Sequence, residues 1–446
     1  MRPAQSWGRF PHVEPGEQAE IPLPWLPTEL PSPIQERTLL PYGLGRSYGD
    51  SCLNPGGSLL RTEGLDRFIA FEPGTGRLRA EAGVTLDAIL TRVVPDGWFL
   101  PVTPGTRFVT LGGAIANDVH GKNHHVAGTF GRHVLQLGLL RSDEGLITCS
   151  PTERPERFAA TIGGLGLTGL ITWAEIQLTR IESPEVIQET VPFGGLDEFL
   201  AINRESVTDW PFTVAWVDCV SGGDKLGRGL YFRGRPAPAD PSQRVRPVPR
   251  APRLSVPFQL PSPTLNRFSV RAFNAAYRAM HLTGPRTRRV HYEPYFYPLD
   301  GVADWNRIYG SKGLLQFQCV VPEADGGRVM HTLLDRIARS GQASFLTVLK
   351  SFGVLKSPGL LSFPRPGLTL ALDLRHRGES TLALFRELEE VAREAGGALY
   401  PAKDACMTPE TFEASYPELP TFKRHVDPAF SSGFWRRMTR EAAGAK

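Results

Sequence analysis

The sequence has few cysteines and no long apolar run, and these absences exclude several classes of protein. The five cysteines are odd in number and scattered, without CxxC or Cys/His spacing, which argues against a disulfide framework or a cysteine-bound metal. No stretch reaches the roughly 18 uninterrupted apolar residues of a membrane-spanning helix. The opening residues lack the basic head and apolar core of a secretory signal. We therefore expect a soluble, cytoplasmic protein with reduced thiols.

A strong net charge is also absent. The chain carries 50 Lys and Arg against 46 Asp and Glu, a formal net charge of +4, which does not by itself indicate a nucleic-acid partner. We expect none. The local exception is an arginine group made of Arg244, Arg246, Arg250, Arg253, Arg286, Arg288 and Arg289. Such a group is compatible with peripheral contact at the inner face of a membrane and equally with simple solubility.

The length of 446 residues exceeds the size at which a single hydrophobic core stops growing, so more than one domain is expected. The proline-rich residues 1–41 predict an extended lead-in. Short apolar runs between glycine turns predict a strand-rich part over 42–180, with one helix over 85–94. Beyond residue 190 amphipathic segments alternate with strand-like runs and predict a second unit. The Pro- and Arg-rich segment 233–263 predicts a mobile loop without strands.

The densest glycine cluster is PYGLGRSYGDS, residues 41–51. Its glycines permit left-handed backbone and close approach to a ligand, while its amides and hydroxyls can bond phosphate oxygens. Taken alone, the segment is equally compatible with an ordinary glycine-rich turn. Its candidate cofactor-binding residues are Tyr42, Gly43, Leu44, Gly45, Arg46, Ser47, Tyr48 and Gly49.

A second glycine-rich segment, residues 104–134, has few charges and contains four of the ten histidines. Its small residues leave space that a flat cofactor ring would fill. The histidines lack the spacing of a metal site, and no GxGxxG motif opens a Rossmann helix, so we expect neither a metal nor a Rossmann nucleotide site. The candidate cofactor-binding residues here are Pro104, Gly105, Thr106, Thr110, Gly112, Gly113, Ala114, Asn117, His120, Gly121, Asn123, His124, Gly128 and Thr129.

A third glycine run, TIGGLGLTGLITWAEIQL, covers residues 161–178 and passes directly into an alternating strand pattern. One interpretation is a strand entry with tight turns. The other is further backbone packing along a dinucleotide, with Gly169 and Ile171 as its candidate contacts.

Together the three runs resemble the vanillyl-alcohol-oxidase type of FAD-binding fold, and most closely the decaprenylphosphoryl-β-D-ribose 2′-oxidase family. Later segments such as GLLQFQCVVP and GGALYPAKDACMTPETF carry the same resemblance. It implies an α+β fold with a two-part FAD-binding domain, residues 1–190 and 398–446. An antiparallel-sheet substrate-binding domain, residues 191–397, is inserted between the parts. We predict non-covalent FAD, because the loop reads Gly45, Arg46, Ser47 where many relatives attach the flavin through histidine.

The resemblance implies oxidation of the 2′-hydroxyl of a polyprenyl-phosphate-linked ribose to a keto sugar, with FAD as the hydride acceptor. It further implies a short-chain reductase partner that completes an epimerisation to arabinose, and a quinone-like electron acceptor. The implied catalytic residues are His120, Lys122, Tyr400 and Lys403. The implied substrate-binding residues are Trp216, Gln316, Gln318, Lys350, Thr369, Ala371 and Lys403.

These residue types also suit the oxidation of a hydroxyl on chemical grounds. Hydride loss from a carbinol carbon is easier as its hydroxyl proton leaves, which requires a base or a cation at the oxygen. A cation also stabilises a reduced flavin. For Lys403 the alternative is a surface ion pair with Asp404. Two other functions stay open, an alditol or sugar-1,4-lactone oxidase with a soluble substrate and a non-catalytic flavoprotein scaffold.

Overall fold

A computed structural model of the chain describes residues 3–31, 37–240, 254–261, 264–283 and 286–440. In chain order the strands are β1 Ala19–Pro22, β2 Leu39–Tyr42, β3 Ser58–Arg61, β4 Phe68–Glu72, β5 Arg77–Glu81, β6 Trp98–Phe99, β7 Val134–Arg141, β8 Gly145–Cys149, β9 Leu170–Gln177, β10 Thr179–Arg180, β11 Glu185–Phe193, β12 Phe212–Val217, β13 Gly229–Pro236, β14 Leu254–Ser255, β15 Thr287–His291, β16 Val302–Ala303, β17 Leu314–Val321, β18 Thr347–Phe352, β19 Gly367–Arg375 and β20 Ala398–Leu399.

The helices are α1 Leu86–Val93, α2 Leu111–Ala116, α3 His124–Ala127, α4 Pro155–Thr161, α5 Leu196–Asp209, α6 Arg267–Thr283, α7 Tyr292–Phe296, α8 Glu323–Arg339, α9 Glu379–Glu394, α10 Pro409–Ser415, α11 Leu419–Lys423 and α12 Gly433–Thr439. Helices and sheets alternate irregularly along the chain, so the fold is α+β, as predicted. The helix expected over 85–94 is confirmed as α1. Thr85 caps it by accepting a hydrogen bond from the Ala88 amide at 3.0 Å.

Two sheets form the first half of the chain. The parallel sheet β1-β3-β2 includes two strands from the proline-rich lead-in, which confirms its extended conformation. The antiparallel sheet β4-β5-β9-β7-β8 comes from the strand-rich part and packs on α1 and α2. Aromatic residues from 292–297 complete that core, so a segment distant in sequence is also required for it.

An eight-stranded sheet, in the order β15-β11-β13-β12-β18-β19-β17-β20, forms the second half, and all of its strands pair antiparallel. Successive side chains of a strand point to opposite faces. On β17 and β19, Phe317, Cys319, Leu370 and Leu372 pack into the core with α5, α8 and α9, so the alternate residues of these strands face away from the helices. The sheet runs from Glu185 to Leu399, beyond both ends of the predicted 191–397 unit.

The end of the chain returns to the glycine-rich loop of the first half. The Leu39 amide donates to Ala429 O at 2.7 Å. In α12, the guanidinium of Arg437 pairs with Asp50 at 2.8 Å and with Asp404 at 2.9 Å. Both carboxylates are buried, so these ion pairs fasten the C-terminal segment to the loop that follows β2.

The segment 233–263 differs from its prediction. Residues 233–236 continue β13 and pair with β11, and residues 254–255 form β14, so the prediction of a segment without strands is wrong at both places. Arg233 is accommodated in the ladder because it pairs with Glu189 at 3.3 Å, and Pro236 is tolerated as the last residue of its strand. Residues 241–253 and 262–263, with Arg244, Arg246, Arg250 and Arg253, lie outside the described residues. Within the part described, none of the helices is long and apolar enough to cross a membrane.

Candidate functional site

A cavity of about 660 Å³ lies between the glycine-rich loops and the face of the eight-stranded sheet that is turned away from α5, α8 and α9. The loops after β2 and β6, together with α2, form one side of the cavity wall. The predicted residues that line the cavity, on either side, are Gly43, Leu44, Gly45, Arg46, Ser47, Tyr48, Pro104, Gly105, Thr106, Thr110, Gly112, Gly113, Asn117, His120, Gly121, Lys122, Gly169, Ile171, Trp216, Gln316, Gln318, Lys350, Thr369, Ala371, Tyr400 and Lys403. The structure therefore brings together residues that are up to 360 positions apart in the sequence.

The loop after β2 presents unused backbone donors along this wall. Within the described residues, the amides of Leu44, Gly45, Arg46 and Ser47 have no hydrogen-bond acceptor. Gly45 has a φ of +60°, and a Cβ there would meet the Tyr42 hydroxyl at 2.2 Å, so glycine is needed for both conformation and space. A row of such amides is a favourable site for phosphate oxygens.

Gly105 leaves open space at the cavity wall. A Cβ built on Gly105 would meet no atom within 4 Å, although the residue lies on the cavity wall. Two buried atoms of the same wall, Arg46 Nε and Ser51 Oγ, have no hydrogen-bond partner among the described residues. Free amides, open space at a glycine and unsatisfied polar atoms fit a dinucleotide cofactor. Ser51 was not among the predicted contacts.

Seven predicted cofactor contacts lie behind the wall instead: Tyr42, Gly49, Ala114, Asn123, His124, Gly128 and Thr129. The Tyr42 hydroxyl donates to Gln5 O at 2.8 Å, and Asn123 Nδ2 donates to Pro101 O at 2.8 Å, so both side chains fix the loops from within. His124 Nδ1 accepts from the Gly353 amide at 3.1 Å. These side chains are already engaged by the protein itself.

The other four residues pack closely against the protein itself. Ala114 is fully buried in α2, and Gly128 has a φ of +71° beside the Arg132 side chain. Gly49 is in van der Waals proximity to the backbone of Asp404, on the returning C-terminal segment. Thr129 is buried and forms an isolated bridge with His120. Small size at these positions reflects close packing of protein against protein, a use of glycine and alanine that sequence alone does not separate from cofactor contact.

A chain of polar side chains crosses the sheet side of the cavity. Lys350 Nζ lies 2.9 Å from His120 Nδ1 and donates to Gly121 O at 3.2 Å. Gln318 Nε2 lies 3.1 Å from His120 Nε2, on the other side of the ring. A neutral imidazole has one N–H, so the protonation of Lys350 sets which ring nitrogen carries it. Lys350 and His120 can therefore exchange a proton at the cavity wall, and Gln318 completes the hydrogen-bonded unit.

Burial shifts the pKa of these groups strongly. It lowers the pKa of Lys350 to about 7, and the like charges of Lys122 and Lys403 act in the same direction. Burial also lowers the pKa of Lys122 to about 7. The pKa of His120 is held well below its usual range by burial and then by Lys350. Near neutral pH the cavity therefore holds a neutral imidazole beside an amine able to accept a proton.

Lys403 and Tyr400 lie where the returning segment meets the loop after β2. Lys403 Nζ is 4.1 Å from the centre of the Tyr48 ring, and the Tyr400 hydroxyl donates to Asn117 O at 2.8 Å. Asp404 does not pair with Lys403 in the described residues, because its carboxylate accepts from Arg437 and from backbone amides. The alternative of a surface ion pair between Lys403 and Asp404 is therefore wrong.

Asp373 lies directly behind the cavity wall, where it holds a wall residue, and sequence reasoning missed it. It is fully buried on β19, follows Thr369 and Ala371 at the strand period of two, and accepts a hydrogen bond from Gln316. Burial raises the pKa of Asp373 and lowers that of Lys403, while the charge of each partner opposes the shift of the other. The alternation in GLTLALDL could have indicated it, since the two neighbours on that face were already candidates.

Aromatic residues of the cavity wall were also missed. Lys122 Nζ donates to Tyr295 O and lies 4.3 Å from the centre of the Tyr295 ring. Tyr277 of α6 packs edge-on against Trp216, with 5.0 Å between ring centres. The run HYEPYFYP, residues 291–298, could have indicated such a cluster, but only the fold shows which rings face the cavity.

Comparison with known proteins supports this reading of the cavity. A family model described as an FAD binding domain matches residues 34–150, which include both glycine-rich loops. Decaprenylphosphoryl-beta-D-ribose oxidase of Mycolicibacterium smegmatis is 38% identical over 417 residues, 90% of this chain and 89% of that protein. The "Uncharacterized protein in mprA 5'region" of Streptomyces coelicolor is 34% identical, over 80% of this chain and 100% of that protein.

A more distant relative extends the same comparison. Cytokinin dehydrogenase 8 of Oryza sativa subsp. indica is 28% identical, over 42% of this chain and 37% of that protein. The match to the mycobacterial oxidase covers about nine-tenths of each chain. FAD is the cofactor that the matched domain binds and that the free amides and the open space at Gly105 fit. The chain belongs to the decaprenylphosphoryl-β-D-ribose oxidase family of FAD-dependent oxidoreductases.

Proposed function

We propose that the chain oxidises the 2′-hydroxyl of a polyprenyl-phosphate-linked ribose to a keto sugar, the first half of an epimerisation to arabinose. The observation that carries this proposal is the chain Lys350–His120–Gln318, which lines the same cavity as the cofactor loops. The name of the 38% identical relative gives the substrate class. When bound, FAD supplies the acceptor for the hydride that leaves the carbinol carbon.

His120 and Lys350 act on the hydroxyl proton in this proposal. The amine of Lys350, whose pKa is lowered to about 7, accepts that proton through the His120 ring, and Gln318 holds the ring in place. Gln316, Trp216, Thr369 and Ala371 complete the sugar side of the wall. The polar and cationic side chains at the junction with the cofactor loops are those of Lys122, Tyr400 and Lys403.

The loops 43–48, 104–106 and 110–121 hold the cofactor, without a covalent bond. Residues 1–190 and 398–446 form the two-part cofactor domain, and residues 191–397, which carry most of the eight-stranded sheet, form the inserted substrate-binding domain. The electrons leave to a quinone-like acceptor, and a short-chain reductase reduces the keto sugar to arabinose. The lipid carrier of such a substrate lies in a membrane, so the arginine group makes peripheral contact with its inner face.

Anaerobic reduction of the flavin tests the substrate. Mixing the purified holoenzyme with a polyprenyl-phosphate-linked ribose should bleach the flavin absorbance and yield the keto sugar. Lys350→Met should slow this reduction by about 100- to 10,000-fold, the usual contribution of a general base. The control Lys356→Met removes an exposed lysine on the same segment and should leave the rate unchanged.

Two outcomes would contradict the proposal. Faster bleaching by a free alditol or a sugar lactone than by the lipid-linked ribose would assign the chain a soluble substrate. Unchanged cellular complementation by Lys403→Ala, with flavin content retained, would indicate a scaffold without its own catalysis. Release of free FAD on denaturation tests the absence of a covalent bond.

A further inference from the structure

Helix α6 has an apolar outer face. Val270 and Asn274 are buried, and Tyr277 and His281 lie on the cavity wall, so one stripe of the helix packs on the protein. The opposite stripe carries the exposed residues Phe268, Ala272, Ala275, Ala276, Ala279 and Leu282. Phe268 is 84% exposed and Leu282 47%. An outward face made only of apolar side chains is unusual for a helix at a protein surface and indicates something that covers it.

The stretch of sequence that contains this helix is strongly basic. Between Asp240 and Glu293 the sequence has ten arginines and no Asp, Glu or Lys, although the whole chain has a net charge of only +4. Arg267 and Arg271, on the flank of the apolar stripe, are exposed and make no ion pair with any residue that the structure describes. The surface that covers α6 must therefore be both apolar and anionic.

An anionic lipid bilayer has these two properties. A helix with an apolar stripe and flanking arginines lies in the interface, with the stripe in the acyl boundary and the arginines at the headgroups. A second copy of the chain is a poor match, because two such helices in contact would bring like charges together without a carboxylate from this region. The charge complementarity favours the membrane.

The position of α6 relative to the cavity gives this contact a use. The inner stripe of the same helix contributes Tyr277 and His281 to the cavity wall, and Arg288 of β15 lines it nearby. We propose that α6 docks on the surface of an anionic membrane and presents the cavity to a sugar headgroup whose polyprenyl chain remains in the bilayer. This inference rests on the proposed function for the identity of the substrate, but the docking itself does not require it.

Co-sedimentation of the holoenzyme with vesicles tests the docking. We expect binding to vesicles of phosphatidylcholine with phosphatidylglycerol, and much weaker binding to phosphatidylcholine alone. Arg267→Gln combined with Arg271→Gln should weaken the binding about thirtyfold, since each basic residue near an anionic surface contributes on the order of a fivefold factor. Phe268→Asp combined with Leu282→Asp should abolish it. Added salt should weaken the binding of the unmodified chain.

A matched control uses an exposed apolar residue elsewhere. Val354 is 79% exposed, and Val354→Asp should leave vesicle binding unchanged. Flavin absorbance and melting temperature should stay the same in all variants, because none of these side chains is buried. A loss of binding can then be assigned to the surface and not to unfolding.

Three results would overturn the docking. The first is equal binding to neutral and anionic vesicles, and the second is unchanged binding of the Phe268 and Leu282 double variant. The third is a dimer in solution that the double variant dissociates, because α6 would then be a self-association surface. Vesicle binding needs no turnover, so the two proposals fail separately. A chain that binds anionic vesicles but does not oxidise the lipid-linked ribose retains the docking surface and loses the proposed substrate.

Discussion

Gly49 lies where the loop after β2 meets the returning C-terminal segment, and its replacement by alanine tests that contact. A Cβ at this position would lie 1.8 Å from Asp404 O and 2.7 Å from Asp404 C. The φ of Gly49 is −116°, which any residue can adopt, so the need for glycine comes from space alone. Gly49→Ala must therefore separate the two segments.

The size of the separation follows from the contact. Real Cβ atoms essentially never approach closer than 3.0 Å, so Asp404 must move by at least about 1.2 Å, and Lys403 precedes it directly in the chain. Overpacking of this kind costs about 1 to 3 kcal/mol. For a chain of 446 residues that unfolds as one unit, the melting temperature should fall by about 1 to 3 °C.

The larger effect should appear in the rate. A displacement of about 1 Å at a reacting group reduces a rate by roughly a hundredfold. We expect stopped-flow reduction of the flavin by substrate to slow by this factor while the flavin content of the purified protein is retained. Gly74→Ala, where no atom lies within 4 Å of the new Cβ, is the control. A Gly49→Ala enzyme with the original rate and melting temperature would refute the proposed contact between loop and C-terminal segment.

Three further predictions concern other parts of the site. The charged form of Lys350 is lost as the pH rises through its pKa of about 7, so flavin reduction should become faster across pH 7. Lys122→Gln removes a like charge and should move this increase in rate to higher pH. A pH–rate profile that does not move would exclude Lys350 as the proton acceptor. Gly105→Val fills open space on the cavity wall and should lower the FAD content several-fold, whereas the control Gly74→Val should leave the FAD content unchanged. Equal flavin absorbance in the two purified variants would contradict this. Arg437→Met leaves two buried carboxylates without their cation and should lower the free energy of unfolding by about 3 kcal/mol in a denaturant titration. An unfolding midpoint equal to that of the unmodified chain would disprove this.

The glycine-rich loops and the strand pattern could be predicted from the sequence because they depend on local properties. Glycine permits conformations and close approaches that no other residue permits, and alternation at period two marks a strand with two different faces. The glycine-rich wall segment at residues 43–48 and the helix α1 followed from such patterns. The polar row of Gln316 and Gln318 between buried apolar neighbours was readable in the same way.

The tertiary structure decided which small residues border the cavity and which pack against the protein. Gly45 and Gly49 belong to one motif, yet one borders the cavity and the other touches Asp404, far away in the sequence. The same limit applies to Asp373, whose side chain became part of the site only when β19 paired with β17.

The chain Lys350–His120–Gln318 shows the limit most clearly. His120 lies 198 positions from Gln318 and 230 from Lys350, and no local pattern in the sequence links the three. The pKa values that give these side chains a chemical role come from burial and from neighbouring lysines, which are properties of the folded chain. The sequence by itself determined which kinds of chemistry were present, and tertiary packing decided where they meet, because long-range proximity and desolvation do not exist before the chain folds.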